Sequence, residues 1–163
     1  MIDLVRVDDR LIHGQVAVGW TAAVGANTIL VVNDAAQADR TQATALKMGT
    51  PSGIALYIRS VAESGEIVQK FAQAKKARVL VILKSIRDAT TLIEASDGAI
   101  TELNVGGQRA EEGRIKLTDH TTVTEQEYQT LSKLHASGVA IDLRMLPRDT
   151  ARTFEQLEHR RSQ

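Results

Sequence analysis

A histidine that follows two aspartates and an arginine is the group of residues in this sequence best suited to chemistry. Asp8, Asp9 and Arg10 precede His13 within a single short stretch. A carboxylate that accepts a hydrogen bond from one imidazole nitrogen fixes the tautomer and leaves the other nitrogen free as a nucleophile. A guanidinium matches the oxygens of a phosphate group. The pattern therefore favours a histidine that carries a phosphoryl group, with either Asp8 or Asp9 orienting its ring and Asp8 preferred.

The elements on either side of His13 place it in a turn between a strand and a helix. Residues 2–7 are largely apolar and indicate a buried strand, and residues 15–25 have the apolar spacing of a helix. In an open parallel sheet such a turn lies at the carboxyl edge, where ligands bind. The helix that Gln15 opens would direct its unpaired N–H groups at an anion on the imidazole. Gly14 serves either as a turn residue or as a gap through which backbone N–H groups approach phosphoryl oxygens.

Short apolar runs alternate with helical patterns along the rest of the chain. After the first strand and helix, we predict strands at 28–32, 54–58, 79–83, 103–105, 115–117 and 139–143, and helices at 34–48, 60–74, from 85, 124–138 and from Asp149. This alternation predicts a three-layer α/β/α sandwich with a mainly parallel central sheet of about six or seven strands. The longest irregular stretch, 104–122, is either a loop beside the site or a connection between edge strands.

Polar residues follow three of the predicted strands, at the edge of the sheet where His13 is expected. They are Asn33 and Asp34, Arg59 and Ser60, and Lys84 and Ser85. Helix capping is the favoured interpretation for each pair. Lys84 is the best candidate for an additional phosphate contact, because the strand before it is expected to end beside the first strand. We therefore assign Asp9, Gly14, Gln15 and Lys84 to phosphate binding or to support of the loop.

Composition indicates one domain that covers residues 1–163 and disfavours several classes of function. Hydrophobic side chains make up 43% of the chain, and the 20 basic residues equal the 20 acidic ones, so no net field attracts nucleic acid. Cysteine is absent, the remaining histidines lack the spacing of a metal site, and no phosphate-binding P-loop is present. No apolar run approaches the roughly 18 residues of a membrane span, and the charges of Asp3 and Arg6 argue against a signal peptide.

The run Asp8-Asp9-Arg10-Leu11-Ile12-His13-Gly14-Gln15-Val16 resembles the active-site loop of a known family. This family comprises the IIB components of the mannose, fructose and sorbose class of the bacterial sugar phosphotransferase system. The resemblance continues through Val31-Val32-Asn33-Asp34, through Leu46-Lys47-Met48 with Pro51 and Gly53, and through Asn104-Val105-Gly106-Gly107, so it covers nearly the whole chain.

The resemblance implies a phosphocarrier enzyme, a protein-phosphohistidine–sugar phosphotransferase, in which His13 carries the phosphoryl group. Such a protein accepts the group from a phosphorylated IIA protein and passes it to a sugar held by the membrane IIC and IID components. It needs no cofactor, and it works in the cytoplasm, associated peripherally with the inner face of the cell membrane. The sugar and the oligomeric state stay open at this stage.

Several alternatives remain for the residues around His13. The histidine could be a surface or capping residue, and Arg10 could pair with Asp8 or Asp9 at the surface. Two other classes of protein also fit: a binding module that holds an anion at the same edge, and a receiver domain phosphorylated on an aspartate. Because a carrier must meet two partners, we expect a shallow site ringed by exposed Leu11 and Ile12. If these two side chains are buried, they pack beneath the loop.

Overall fold

A central sheet of parallel strands runs through the molecule, which the computed structural model describes at residues 1–161 and 163. In chain order the elements are β1 (Ile2–Val7), α1 (Gly14–Val24), β2 (Thr28–Val32), α2 (Asp34–Ala38), α3 (Arg40–Gly49), β3 (Ala55–Arg59), α4 (Val61–Gln73), β4 (Val79–Leu83), α5 (Ile86–Ala95), β5 (Glu102–Val105), β6 (Ile115–Lys116), β7 (Thr122–Val123), α6 (Glu125–Ala136), β8 (Ala140–Asp142) and α7 (Phe154–Arg161). The sheet has the order β3-β2-β4-β1-β5-β8, and β6 pairs with β7 in a separate antiparallel hairpin. The predicted α/β fold is confirmed, and the parallel sheet has six strands where about six or seven were expected.

Helices cover both faces of this sheet, because its central strands are apolar on both sides. All residues of β2 and β4 are buried, and alternate side chains enter two separate cores. One core contains Ile29, Val31, Leu80 and Ile82 with side chains of α1, α2 and α3. The other contains their neighbours along each strand with side chains of α4, α5 and α6. The arrangement is the three-layer sandwich that the alternating pattern predicts.

The strand that precedes His13 occupies an interior position in the sheet, between β4 and β5. Val7 at the end of β1 pairs with Leu83 of β4 and with Val105 of β5. Two backbone hydrogen bonds extend this register past the strand: Asp8 N–H donates to the Leu83 carbonyl at 2.9 Å, and Gly106 N–H donates to the Val7 carbonyl at 2.8 Å. The residues after these three strands therefore meet at one carboxyl edge.

One polar residue of each predicted pair at a strand end caps the helix that follows. The side chains of Asn33, Ser60 and Ser85 each accept a hydrogen bond from a backbone N–H in the first turn of α2, α4 and α5. Ser60 and Thr124 form complete capping boxes. The capping interpretation is confirmed for these positions.

Two predicted helices differ from the observed ones. The helix predicted at 34–48 is divided at Asp39, which has an extended backbone (φ −113°, ψ 108°) and whose carboxylate accepts the N–H groups of Thr41 and Gln42. A new helix therefore starts where one continuous helix was expected. The terminal helix begins at Phe154 and not at Asp149, because the Asp149 carboxylate closes a turn by accepting the Leu146 N–H at 2.8 Å.

The stretch 104–122 is more regular than the sequence suggested. It contains the end of β5, the strand β6 and the start of β7, the last of which was not predicted. The remaining boundaries agree with the predictions within two residues. None of the helices in the described part of the chain is both long and apolar enough to cross a membrane.

Candidate active site

His13 lies at the start of α1, beyond the carboxyl end of β1. It is the N-cap residue of α1, with an extended backbone, and its side chain caps no N–H group of the helix. The imidazole is 12% exposed, and its Nε2 lies 2.9 Å from Oδ2 of Asp8. A carboxylate only accepts hydrogen bonds, so Nε2 carries the proton and Nδ1 has the free lone pair.

Asp8 is the carboxylate that orients the histidine, and it is fully buried. Its Oδ2 accepts hydrogen bonds from Nη2 of Arg6 and Nε2 of His13, both at 2.9 Å, and its Oδ1 accepts the N–H of Arg10 at 3.0 Å. Both oxygens are thus engaged by donors inside the protein. This arrangement leaves Asp8 no access to a phosphoryl donor and gives no support to the receiver-domain alternative.

Asp9 supports the loop on its other side and makes no contact with the imidazole. Its carboxylate accepts the N–H of Arg109 at 3.0 Å, with Nε of Arg109 at 3.8 Å, and its own N–H donates to the Gly107 carbonyl at 3.0 Å. These contacts join the turn to the segment that follows β5. The geometry therefore favours Asp8 over Asp9 as the residue that orients the imidazole, and Asp9 anchors the neighbouring loop.

Arg10 is an exposed residue of the same turn, three positions before His13. The residue is exposed, and within the described residues its guanidinium forms no ion pair with Asp8 or Asp9. The surface ion pair considered from the sequence is thus not formed. A free guanidinium at this edge is available to the oxygens of a bound phosphate group.

The backbone of the turn passes twice through the left-handed region. Leu11 has φ +56° and donates its N–H to the Asp8 carbonyl at 3.0 Å, and Gly14 has φ +42°. A Cβ at Gly14 would meet nothing within 4 Å, so the backbone conformation and not crowding accounts for glycine there. Burial of the Leu11 side chain holds that residue in a conformation which branched or bulky residues rarely adopt.

The expectation that Leu11 and Ile12 ring the site as exposed residues is wrong. They are 4% and 7% exposed and belong to the core between the sheet and α1–α3. The positive φ of Leu11 turns this apolar pair inward, so that it packs beneath the loop. The exposed residues of this turn are instead polar or small, namely Arg10, Gly14 and Gln15.

Gln15 and Lys84 occupy the positions expected for them. Gln15 is exposed in the first turn of α1, where N–H groups have no partner within the helix. Lys84 is exposed and directly follows Leu83, which pairs with Val7. Both residues therefore lie at the same edge of the sheet as His13.

Two residues of the site were missed from the sequence. Arg6 is 2% exposed inside β1, and Asn104 is fully buried at the end of β5. Burial lowers the pKa of the Arg6 guanidinium, and the carboxylate of Asp8 opposes this shift. The signal that could have found Arg6 is a charge between Val5 and Val7 in a largely apolar strand, since such a charge is buried only when it is paired.

We expect Asp8→Asn to destabilise the fold as well as the site. The amide removes the charge that pairs with the buried guanidinium of Arg6, a loss of about 3 kcal/mol in the free energy of unfolding for a broken buried pair. Urea unfolding followed by the fluorescence of Trp20, the one tryptophan, measures this loss. Asp9→Asn is the matched control: its partner Arg109 is 85% exposed, so the loss should stay below about 1 kcal/mol. Equal stability of the two variants would contradict the role given to Asp8.

Fold and site together define a class of protein. It is a parallel α/β domain that carries, at the carboxyl edge of its sheet, a histidine held by a carboxylate. Residues 2–163 match the model of the PTS system sorbose subfamily IIB component, where PTS is the sugar phosphotransferase system. The chain belongs to this family, whose members take part in sugar phosphotransfer.

Relatives and solved structures agree with this assignment. The chain is 32% identical over 151 residues to the mannose-specific EIIAB component of Escherichia coli K12, covering 91% of this chain and 46% of that protein. It thus spans about half the length of the EIIAB relatives it matches. It is 32% identical to the fructose-specific EIIB component of Bacillus subtilis, covering 96% and 94% of the two chains. The crystal structure of the IIBSor domain of the Klebsiella pneumoniae sorbose permease superposes with a TM-score of 0.86 at 28% identity, covering 98% and 97%.

Proposed function

We propose that this protein is a phosphocarrier that accepts a phosphoryl group on His13 from a phosphohistidine of a IIA protein. It then passes the group to a sugar bound by membrane IIC and IID components. The observation that carries the proposal is the hydrogen bond between Nε2 of His13 and Asp8, which leaves Nδ1 as a nucleophile at the ligand-binding edge of the sheet. Membership of a IIB family supports the choice of partners.

The first transfer is an in-line displacement at phosphorus. The lone pair of Nδ1 forms the new N–P bond while the bond to the donor imidazole breaks, and its electron pair stays on the donor nitrogen. Nε2 keeps its proton throughout, and Asp8 stabilises the positive charge that develops on the ring. The reaction replaces the N–P bond of the donor with an N–P bond to His13, so it needs neither a cofactor nor a metal.

Arg10 and the start of α1 stabilise the negative charge on the equatorial oxygens. Arg10 is exposed in the same turn as His13. The N–H groups of residues 14–16 lie at the start of α1, and the N-cap side chain accepts none of them. Lys84 adds a further cation at the same edge. In such a reaction the protein contributes position and electrostatics more than covalent chemistry.

The second transfer reverses these roles. A sugar hydroxyl oxygen attacks the phosphorus and releases its proton to solvent water, and the electron pair of the N–P bond returns to Nδ1. Both transfers require that a partner reach the same histidine, and the exposure of Arg10, Gly14 and Gln15 in this turn supports contact with two partners in turn. The protein would therefore work in the cytoplasm, at the inner face of the cell membrane, through its contacts with IIC and IID.

An NMR titration with a phosphorylated IIA protein of the mannose class tests this function. Amide shifts are expected at residues 8–16 and near Lys84, with weak, fast-exchanging binding, because a carrier cannot hold either partner for long. The unphosphorylated IIA protein is the control for surface contact without transfer. Shifts confined to the opposite edge of the sheet, around Asp3 and Arg78, would refute the proposal.

A further inference from the structure

A buried arginine lies directly behind the histidine and its carboxylate. Arg6 is 2% exposed, and its Nη2 donates to the same Oδ2 of Asp8 that accepts the Nε2 proton of His13. One oxygen thus joins the guanidinium and the imidazole. The position of that oxygen, and with it the orientation of the ring, depends on where the guanidinium is held.

The guanidinium of Arg6 is held by β5, which pairs with β1. Its Nη1 donates to Oδ1 of Asn104, and Nδ2 of Asn104 donates to Oδ2 of Asp142 at 2.8 Å and to the Arg144 carbonyl at 3.0 Å. The amide of Asn104 is fully buried, so these bonds have no competition from water. A continuous chain of hydrogen bonds therefore runs from β8 through β5 and β1 to the imidazole.

Two further neighbours fit the guanidinium closely. A Cβ at Gly106 would overlap its atoms, so only glycine leaves room for it at that position. On another side the guanidinium carbon lies 5.6 Å from the centroid of the Trp20 ring, in range of a cation–π interaction. The space around Arg6 is shaped for a planar cation and leaves little freedom to move.

We propose that Arg6 is a positioning residue for phosphoryl transfer: it holds the Asp8 carboxylate against Nε2, so that the neutral imidazole presents Nδ1 to phosphorus. Its positive charge also balances the buried carboxylate, so Asp8 orients the ring without an unpaired charge in the core. Asn104 and Gly106 act through Arg6. The inference rests on the proposed function, because that function gives the positioning its purpose. The tautomer that it predicts, however, can be measured in the unphosphorylated protein.

Ring-nitrogen NMR shifts of His13 at alkaline pH, where imidazoles are neutral, test the proposal directly. In the wild-type protein the Nε2–H tautomer should dominate. In Arg6→Gln the ratio of Nε2–H to Nδ1–H should fall by about tenfold, the scale expected when a charge-assisted hydrogen-bond network is weakened. Arg78→Gln is the matched control, because it removes an arginine paired with Asp3 at the opposite edge and should leave the ratio unchanged.

A second variant keeps the test independent of the loss of a buried charge. Gly106→Ala retains the guanidinium but displaces it, and the tautomer ratio should fall again; Gly107→Ala, whose Cβ would make only ordinary contacts of 3.4 Å or more, should have little effect. A wild-type protein with mixed tautomers, or an unchanged ratio in folded Arg6→Gln or Gly106→Ala, would overturn the proposal. Because no phosphoryl donor is used, failure of transfer from a IIA protein would instead refute the proposed function alone.

Discussion

His13→Ala is expected to abolish phosphoryl acceptance from a phosphorylated IIA protein. Asp8, the nearest carboxylate, is fully buried, and Arg6 Nη2 and the Arg10 N–H still engage it when the imidazole is removed. The exposed Arg10 and Gln15 are not nucleophiles at neutral pH. The fold should persist, because the imidazole caps no N–H group of α1. Protein-bound radioactive phosphate, counted after incubation with labelled IIA protein, measures the loss.

The matched control for this variant is His159→Ala, which removes an exposed imidazole on α7. It should accept phosphate at the wild-type rate and to the wild-type extent. Circular dichroism establishes that both variants are folded. If folded His13→Ala bound radioactive phosphate above the counting background, the acceptor would lie elsewhere in the chain.

Arg10→Ala is expected to slow transfer in both directions while the fold stays intact. In the proposed mechanism the guanidinium stabilises charge that grows on the phosphoryl oxygens, and loss of one such donor costs about 2.7 to 4 kcal/mol, or roughly 100- to 1,000-fold in rate. Arg10→Lys should give intermediate rates, since lysine restores the charge but not the planar two-point contact. Rapid-quench measurements of the forward and reverse transfer give both rates.

Arg109→Ala is the control for a nearby surface arginine. Its guanidinium is 85% exposed and pairs loosely with Asp9, so its removal should change the rate by much less than that of Arg10. Wild-type rates in Arg10→Ala would contradict the phosphate-binding role of that residue. The start of α1 would then be the main stabiliser of the phosphoryl group.

The fold and the place of the histidine could be predicted because both depend on local patterns. β4 is a continuous apolar run, the capping boxes at Ser60 and Thr124 mark where helices begin, and a parallel sheet brings strand ends to one edge. A carboxylate and an arginine close to His13 in sequence also stay close in space. These features need no knowledge of distant parts of the chain.

The features that could not be predicted depend on contacts between distant segments or on one backbone angle. Arg6 is held by Asn104, 98 residues away, so its place in the site is visible only once β1 and β5 lie side by side. Leu11 and Ile12 turn inward because of the positive φ of Leu11, which no pattern of residue types indicates. The break at Asp39 was missed because an aspartate within a helical pattern does not by itself mark a new N-cap.

The most direct test of the central claim is the chemical nature and location of the phosphoryl group on the wild-type protein. After transfer from a IIA protein, the group should be lost in acid, survive in base and map to Nδ1 of His13 by phosphorus–proton NMR correlation. This behaviour is that of a phosphoramidate on a histidine nitrogen. A group lost in both acid and base would be an acyl phosphate on an aspartate, and the absence of any covalent group would leave a binding module; either result would contradict the assignment of His13 as the phosphoryl carrier.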